Sequence, residues 1–237
     1  MALFSYFSSN NTSREWSNSK RMGYRGDEFE NSGTDTALSS IADAFEELSD
    51  LITQGKTTDF AVLKLKPFCD ACSLVSVLFG CLGIAFKFAE MEYTSKVHDL
   101  DKSSERYVTL SRIVDYDVKR NTVKSHGSHT RNLRRVRQGL DLIRELFQNF
   151  LTTNDYSLRD AASSAYQKVC APYHTWAVRT AVSAGMYALP SREHLLLGLN
   201  ETEKSAAVQM RRYIKASLSV INYIDNLYVS RGITLDW

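Results

Sequence analysis

Three prolines in 237 residues, Pro67, Pro172 and Pro190, leave little in this chain that forbids a helix. Proline locks φ and removes a backbone donor, and ordinary usage of about 5% would place roughly a dozen in a chain of this length. The apolar residues then favour one secondary structure. From Thr36 they recur at helical spacing (Leu38, Ile41, Ala42, Phe45, Leu48, Leu51, Ile52) until Gly55 ends the stripe. Similar patterns predict one long helical segment over about 60–101, then helices near 104–124, 128–151, 157–169, 172–189, 192–199 and 202–230, about eight in all. Short connections between long helices imply antiparallel packing in layers, so the expected class is all-α. No repeat and no strand pattern is found. Residues 1–35 are rich in Ser, Asn, Gly and charge and have no helical period, which predicts a disordered tail ahead of one domain over 36–237.

Two features invite a wrong reading. Ala71–Phe86 has only Ser73 and Ser76 as polar members, but it is shorter than the roughly 20 residues of a bilayer span and lies between Asp70 and Lys87. It is expected to be a helix buried nearly all round. Cys69 and Cys72 form a CxxC without a second CxxC or a histidine pair, so buried helical thiols are expected rather than zinc or redox chemistry. With no leader before them, the four cysteines suggest a reduced, cytoplasmic protein. No nucleophile–base pair or metal cluster points to an enzyme, and no cofactor is expected.

The net charge is only +2, yet Val118 to Leu140 holds Lys119, Arg120, Lys124, Arg131, Arg134, Arg135 and Arg137 with no carboxylate. A local anion site can therefore exist on a nearly neutral protein. Nucleic acid is not expected as a partner, since no DNA- or RNA-binding motif accompanies the cluster. At about 100° per residue from Arg131, the apolar positions Leu133 to Phe150 span about 60° to 200°. Arg134, at about 300°, and Arg137, at about 240°, fall clear of that arc, which suggests an outward Arg134 attracted to membrane surfaces. Arg131 and Arg135 touch its border. Stems snorkelling along the border and a functional clamp both fit that position. On the 60–101 segment Lys96 aligns with Leu78 among the apolar positions and Glu92 lies one turn earlier. A solvated i, i+4 pair and a pocket-lining pair both remain open. His174 is placed in the first turn of the helix after Pro172, as a structural residue or as a donor to a carbonyl, with Glu92 available to accept from an amide N–H. Lys96, Arg131 and Arg135 would add a cationic clamp suited to phosphate.

The stretches Phe79–Met91, Gly127–Leu133, Ala171–Arg179 and Gly185–Pro190 closely resemble the glycolipid transfer protein superfamily over about 36–237. The nearest likeness is its plant accelerated-cell-death branch, whose members regulate cell death and transfer ceramide-1-phosphate. The resemblance implies a two-layer helical sandwich that carries one sphingolipid between membranes, with both hydrocarbon chains between the layers and transient peripheral membrane contact. It implies phosphate ligands at Lys96, Arg131 and Arg135 and ceramide-amide ligands at Glu92 and His174. Arg135 stands where sugar-binding members carry tryptophan and Lys96 where they carry asparagine, which favours phosphate over sugar. One departure is Glu92, a methylene longer than the family's usual aspartate. A second function compatible with this likeness is a lipid-gated sensor or scaffold that binds phosphosphingolipid and signals through partners.

Overall fold

The computed structural model describes residues 36–56, 63–83, 86–152 and 157–237; the tail expected at 1–35 lies outside them. From residue 36 onward the chain belongs to one unit. Among the described residues it forms nine α-helices: α1 Ala37–Lys56, α2 Leu65–Cys81, α3 Lys87–Ser103, α4 Leu110–Lys119, α5 His129–Thr152, α6 Leu158–Val169, α7 Trp176–Gly185, α8 Arg192–Gly198 and α9 Glu203–Val229, with single 3-10 turns at Ala171–Tyr173 and Met186–Ala188. The all-α class and the layered sandwich are as expected. An isolated bridge between Lys64 and Thr109 pins the start of α2 to that of α4, through Leu65 N donating to Val108 O (2.9 Å) and Leu110 N to Leu63 O (3.1 Å).

Hydroxyl residues set most helix starts. Thr109, Ser157, Thr175, Ser191 and Thr202 each accept from a backbone N–H in the first turn of the helix that follows, and Thr202 forms a reciprocal box with Ser205. Each such cap is worth about 1 kcal/mol.

Three expected helices are shorter than the periodicity implied. The 60–101 segment is two helices, because Gly83 adopts φ +85° just after α2, a left-handed conformation that glycine reaches without a Cβ penalty. Phase cannot be carried across that break, so the alignment of Lys96 with Leu78 does not stand. Of 104–124 only α4 is helical. In 172–189 the chain makes a 3-10 turn and then extends at His174 (φ −104°, ψ 144°) before Thr175 caps α7. His174 therefore precedes the helix rather than sitting in its first turn.

The centre of the fold is α5, which packs against α3, α4, α6 and α9, while α1 lies on α9 and α2, and α2 on α3. A surface helix buries one stripe, whereas a central one is covered from several directions. Accordingly α5 buries Leu133, Val136, Leu140 and Ile143, and also Arg134, Gln138 and Glu145. This corrects the outward reading of Arg134, which is only 3% exposed. Its Nη2 donates to Leu235 O (2.6 Å) and its Nε to Trp237 O (3.4 Å), its guanidinium lies over the Tyr173 ring at 5.5 Å, and Asp225 is 4.0 Å away. Arg137 is paired with Asp225 (2.5 Å) and Asp141 (2.7 Å). Two cations of the basic window thus belong to the interior.

Cys69 and Cys72 are buried and unpaired in α2, and burial pushes the Cys69 thiol up to about 12, so both are inert helix-packing residues. No helix among the described residues is long and apolar enough to cross a membrane, and none of their His, Cys, Asp or Glu side chains cluster as metal ligands.

Candidate functional site

Two neighbouring helices each present a pair of polar residues one turn apart: Glu92 and Lys96 on α3, and Arg131 and Arg135 on α5. A glycine sets the separation of the helices. A Cβ at Gly139 of α5 would come within 2.5 Å and 2.7 Å of ring carbons of Tyr93 on α3. Tyr93 is itself anchored by donation of its hydroxyl to Cys72 O (3.0 Å). Only glycine lets the Tyr93 ring lie flush on α5, bringing the residue beside it, Glu92, towards the arginines.

Within the site, Lys96 Nζ lies 3.6 Å from Glu92 Oε1, with Lys96 largely covered and Glu92 half exposed. Arg131 Nη1 donates to Lys124 O (3.0 Å) and Arg135 Nη1 to Gln138 Oε1 (2.9 Å). Burial lowers the Arg135 pKa from its ordinary value, and the field of Arg131 acts in the same direction against that of Glu92. His174 is half-buried, and burial followed by the Arg135 charge lowers its pKa as well. Arg135 is therefore in electrostatic reach of Arg131, Glu92 and His174 together. The expected site residues converge, whereas Arg134 and Arg137 are tied into the structure.

Arg135 differs from its neighbours in one decisive respect. Arg137 and Arg144 on the same helix are matched by carboxylates: Arg137 by Asp141 and Asp225, and Arg144 by Asp141 and Glu145. Arg135 is half-buried and, among the described residues, has only the neutral Gln138 as a side-chain hydrogen-bond partner. A half-buried cation with no carboxylate in contact is costly, and an arriving anion relieves that cost.

Beside this cluster lies an apolar cavity of about 20 Å³, lined by Leu82, Phe86, Leu142, Ile143, Leu146, Ala162, Tyr166 and Met186. That is room for about one water-sized sphere and far too little for an acyl chain. A hydrocarbon chain would enter only by parting α6 and the 186–188 turn from α5. Around the polar cluster, large apolar side chains face solvent. Phe88 is 80% exposed and Met91 61%, both within one turn before Glu92, and Trp176 is 74% exposed two residues after His174. Helix α7 buries none of its residues.

Two contributors were not found from the sequence. Nothing in the sequence pattern sets Tyr166 apart, yet its hydroxyl lies 3.0 Å from His174 Nδ1. Gln138 carries no distinguishing motif, yet it holds Arg135, and its own Nε2 is buried without a partner among the described residues.

An all-helical sandwich with a cationic cluster beside an apolar cavity is the architecture implied by the resemblance. A family model, glycolipid transfer protein (GLTP), matches residues 63–201, and the chain belongs to that family. It is 60% identical to the ACD11 homolog protein of Arabidopsis thaliana over 204 residues, 85% of this chain and 89% of the relative. It is 46% identical to Accelerated cell death 11 of the same plant over 207 residues, 87% and 98% of the two chains. A crystal structure of an Arabidopsis ACD11 mutant complexed with C12 ceramide-1-phosphate superimposes with a TM-score of 0.81 at 46% identity, covering 86% of this chain and 99% of that one.

Proposed function

We propose that this protein extracts ceramide-1-phosphate from one membrane and delivers it to another at the cytoplasmic surface, and that residues 36–237 carry the whole activity. Lys96, Arg131 and Arg135 take the phosphate, with two planar guanidinium forks matched to its oxygens. Glu92 accepts from the ceramide amide N–H and His174 donates to its carbonyl. The two hydrocarbon chains go between α5, α6 and the 186–188 turn, where each methylene leaving water gains about 0.8 kcal/mol. Phe88, Met91 and Trp176 make the transient membrane contact, as exposed apolar side chains around a ligand mouth do. The observation that carries this reading is the half-buried Arg135, which has no carboxylate in contact among the described residues and feels Glu92 only at longer range, beside a cavity that is wholly apolar except for one tyrosine. The binding of ceramide-1-phosphate by the ACD11 mutant of 46% identity supports it.

The test is vesicle-to-vesicle transfer of fluorescent ceramide-1-phosphate, a neutral glycosylceramide and phosphatidic acid by wild type and Arg135→Ala. A charge-assisted hydrogen bond contributes about 1.5–3 kcal/mol, so the mutation should weaken ceramide-1-phosphate uptake by roughly 10- to 150-fold. Binding of ceramide-1-phosphate without transfer would instead favour the lipid-gated scaffold. Equal transfer of all three lipids by both proteins would refute the phosphate clamp.

A further inference from the structure

Tyr166 joins the polar cluster to the apolar cavity. Its ring lines the cavity between α5 and α6 together with Leu142, Ile143 and Leu146, and its residue is 5% exposed. Its hydroxyl lies 3.0 Å from Nδ1 of His174, eight residues further along the chain, with the ring centroids 5.7 Å apart. No other hydrogen-bond partner of this hydroxyl exists among the described residues. Cys170 and Arg179 influence the phenol electrostatically and Arg135 the imidazole.

The bond can be made in two ways. In one, the phenol donates to Nδ1, and the unpartnered proton is Nε2–H, on the more exposed residue of the two. In the other, Nδ1–H donates to the phenol oxygen, and the phenol proton has no acceptor among the described residues, on a tyrosine only 5% exposed. A buried, unmatched donor is disfavoured, and a buried tyrosine hydroxyl normally finds a partner. Burial raises the Tyr166 pKa, so the phenol keeps its proton near neutral pH, and the lowered His174 pKa keeps the imidazole neutral there. A neutral imidazole has one donor nitrogen and one acceptor.

We propose that Tyr166 is a positioning residue that fixes His174 as the Nε2–H tautomer, so that its free nitrogen is always a donor and the site prefers a lipid bearing a strong carbonyl acceptor, an amide, over an ester-linked phospholipid. The selectivity half of this inference rests on the proposed amide role of His174; the tautomer half does not.

The experiment has two arms on the full chain. In the first, long-range proton–nitrogen correlation spectra of the imidazoles are recorded for wild type, Tyr166→Phe and His174→Ala, the last assigning the His174 signals by their loss. Wild type should show a single neutral Nε2–H tautomer at pH 7.5, and Tyr166→Phe, which keeps the ring that walls the cavity, a mixture of tautomers. In the second arm the ratio of ceramide-1-phosphate to phosphatidic acid transfer is measured for the same proteins. Tyr166→Phe should lower it by about 5- to 10-fold through slower ceramide-1-phosphate transfer, with phosphatidic acid transfer little changed. An Nδ1–H tautomer in wild type, or an unchanged tautomer in Tyr166→Phe, overturns the inference whatever the transfer result. A ratio lowered by His174→Ala but not by Tyr166→Phe also overturns it. A ratio unchanged by His174→Ala refutes the amide reading itself and with it the selectivity half.

Discussion

Gly139 holds α3 and α5 at the separation the site requires, and its replacement by alanine separates folding from function. The added Cβ would lie 2.5 Å and 2.7 Å from two Tyr93 ring carbons, against an optimum of roughly 3.5–4.0 Å for carbon pairs. Tyr93 has little room to give way. It is 5% exposed, its hydroxyl is bonded to Cys72 O, and its ring lies 5.0 Å from that of Phe79. Relief therefore requires α3 to move from α5 by about 1 Å, and overpacking of this kind costs about 1–3 kcal/mol. Alanine regains about 1 kcal/mol of helix propensity over glycine, so the net destabilisation is about 0–2 kcal/mol. A domain of ordinary stability, about 5–15 kcal/mol, remains folded under that load. The site does not tolerate it as well, because a displacement of about 1 Å takes a hydrogen bond of normal length beyond reach. Glu92 and Lys96 would recede together from Arg131 and Arg135. Gly139→Ala should shift the urea midpoint modestly while lowering ceramide-1-phosphate transfer at least tenfold. With Tyr93→Leu in place the ring edge is gone, and adding Gly139→Ala should stabilise rather than destabilise. A higher urea midpoint for Gly139→Ala in the wild-type background, with full transfer, would refute the argument that this contact sets the helix spacing.

Three other perturbations follow from the same geometry. Deleting residues 235–237 removes both carbonyls that accept from the buried Arg134 and leaves Asp225 beside it; the cost should be about 1.5–3 kcal/mol per well-formed bond lost, and Arg134→Met in the shortened chain should recover part of it in urea denaturation. Simple additivity of the two changes would contradict this account. Because the folded His174 pKa is lowered from its ordinary value near 6.5, the unfolded chain binds the proton more readily. The His174 contribution to stability is thus intact above that pH, falls as pH drops through it and levels off below the folded pKa. His174→Gln should flatten this part of the melting temperature profile between pH 7 and 5. Arg192 grips Glu203 through two 2.7 Å bonds and lies 3.7 Å from the Phe150 ring centroid. Arg192→Lys loses the planar fork and should lower stability by about 1 kcal/mol, as measured by urea denaturation.

The legible and illegible parts of this protein divide along a physical line. Arg131 and Arg135 could be singled out because both touch the border of the apolar arc of one unbroken helix, and Glu92 with Lys96 because a pair one turn apart keeps its spacing in any tertiary setting. The break at Gly83 was hidden because a glycine within a helical pattern states its φ only when the chain must turn. Arg134 was misplaced for a different reason. A helical wheel gives each helix one inside and one outside, but α5 is enclosed by several others, and its polar angles face α9 and the C-terminal residues instead of water. Tyr166 and Gln138 are more elusive still, since their roles depend on one partner atom each: Nδ1 of His174 and Nη1 of Arg135. The sequence specifies which side chains can bind an anion, but folding decides which of them stay available. The C-terminal carbonyls occupy Arg134, and Asp141 and Asp225 occupy Arg137. Among the described residues Arg135 has only a neutral amide in side-chain contact and Glu92 at longer range, and it retains charge that a phosphate would match.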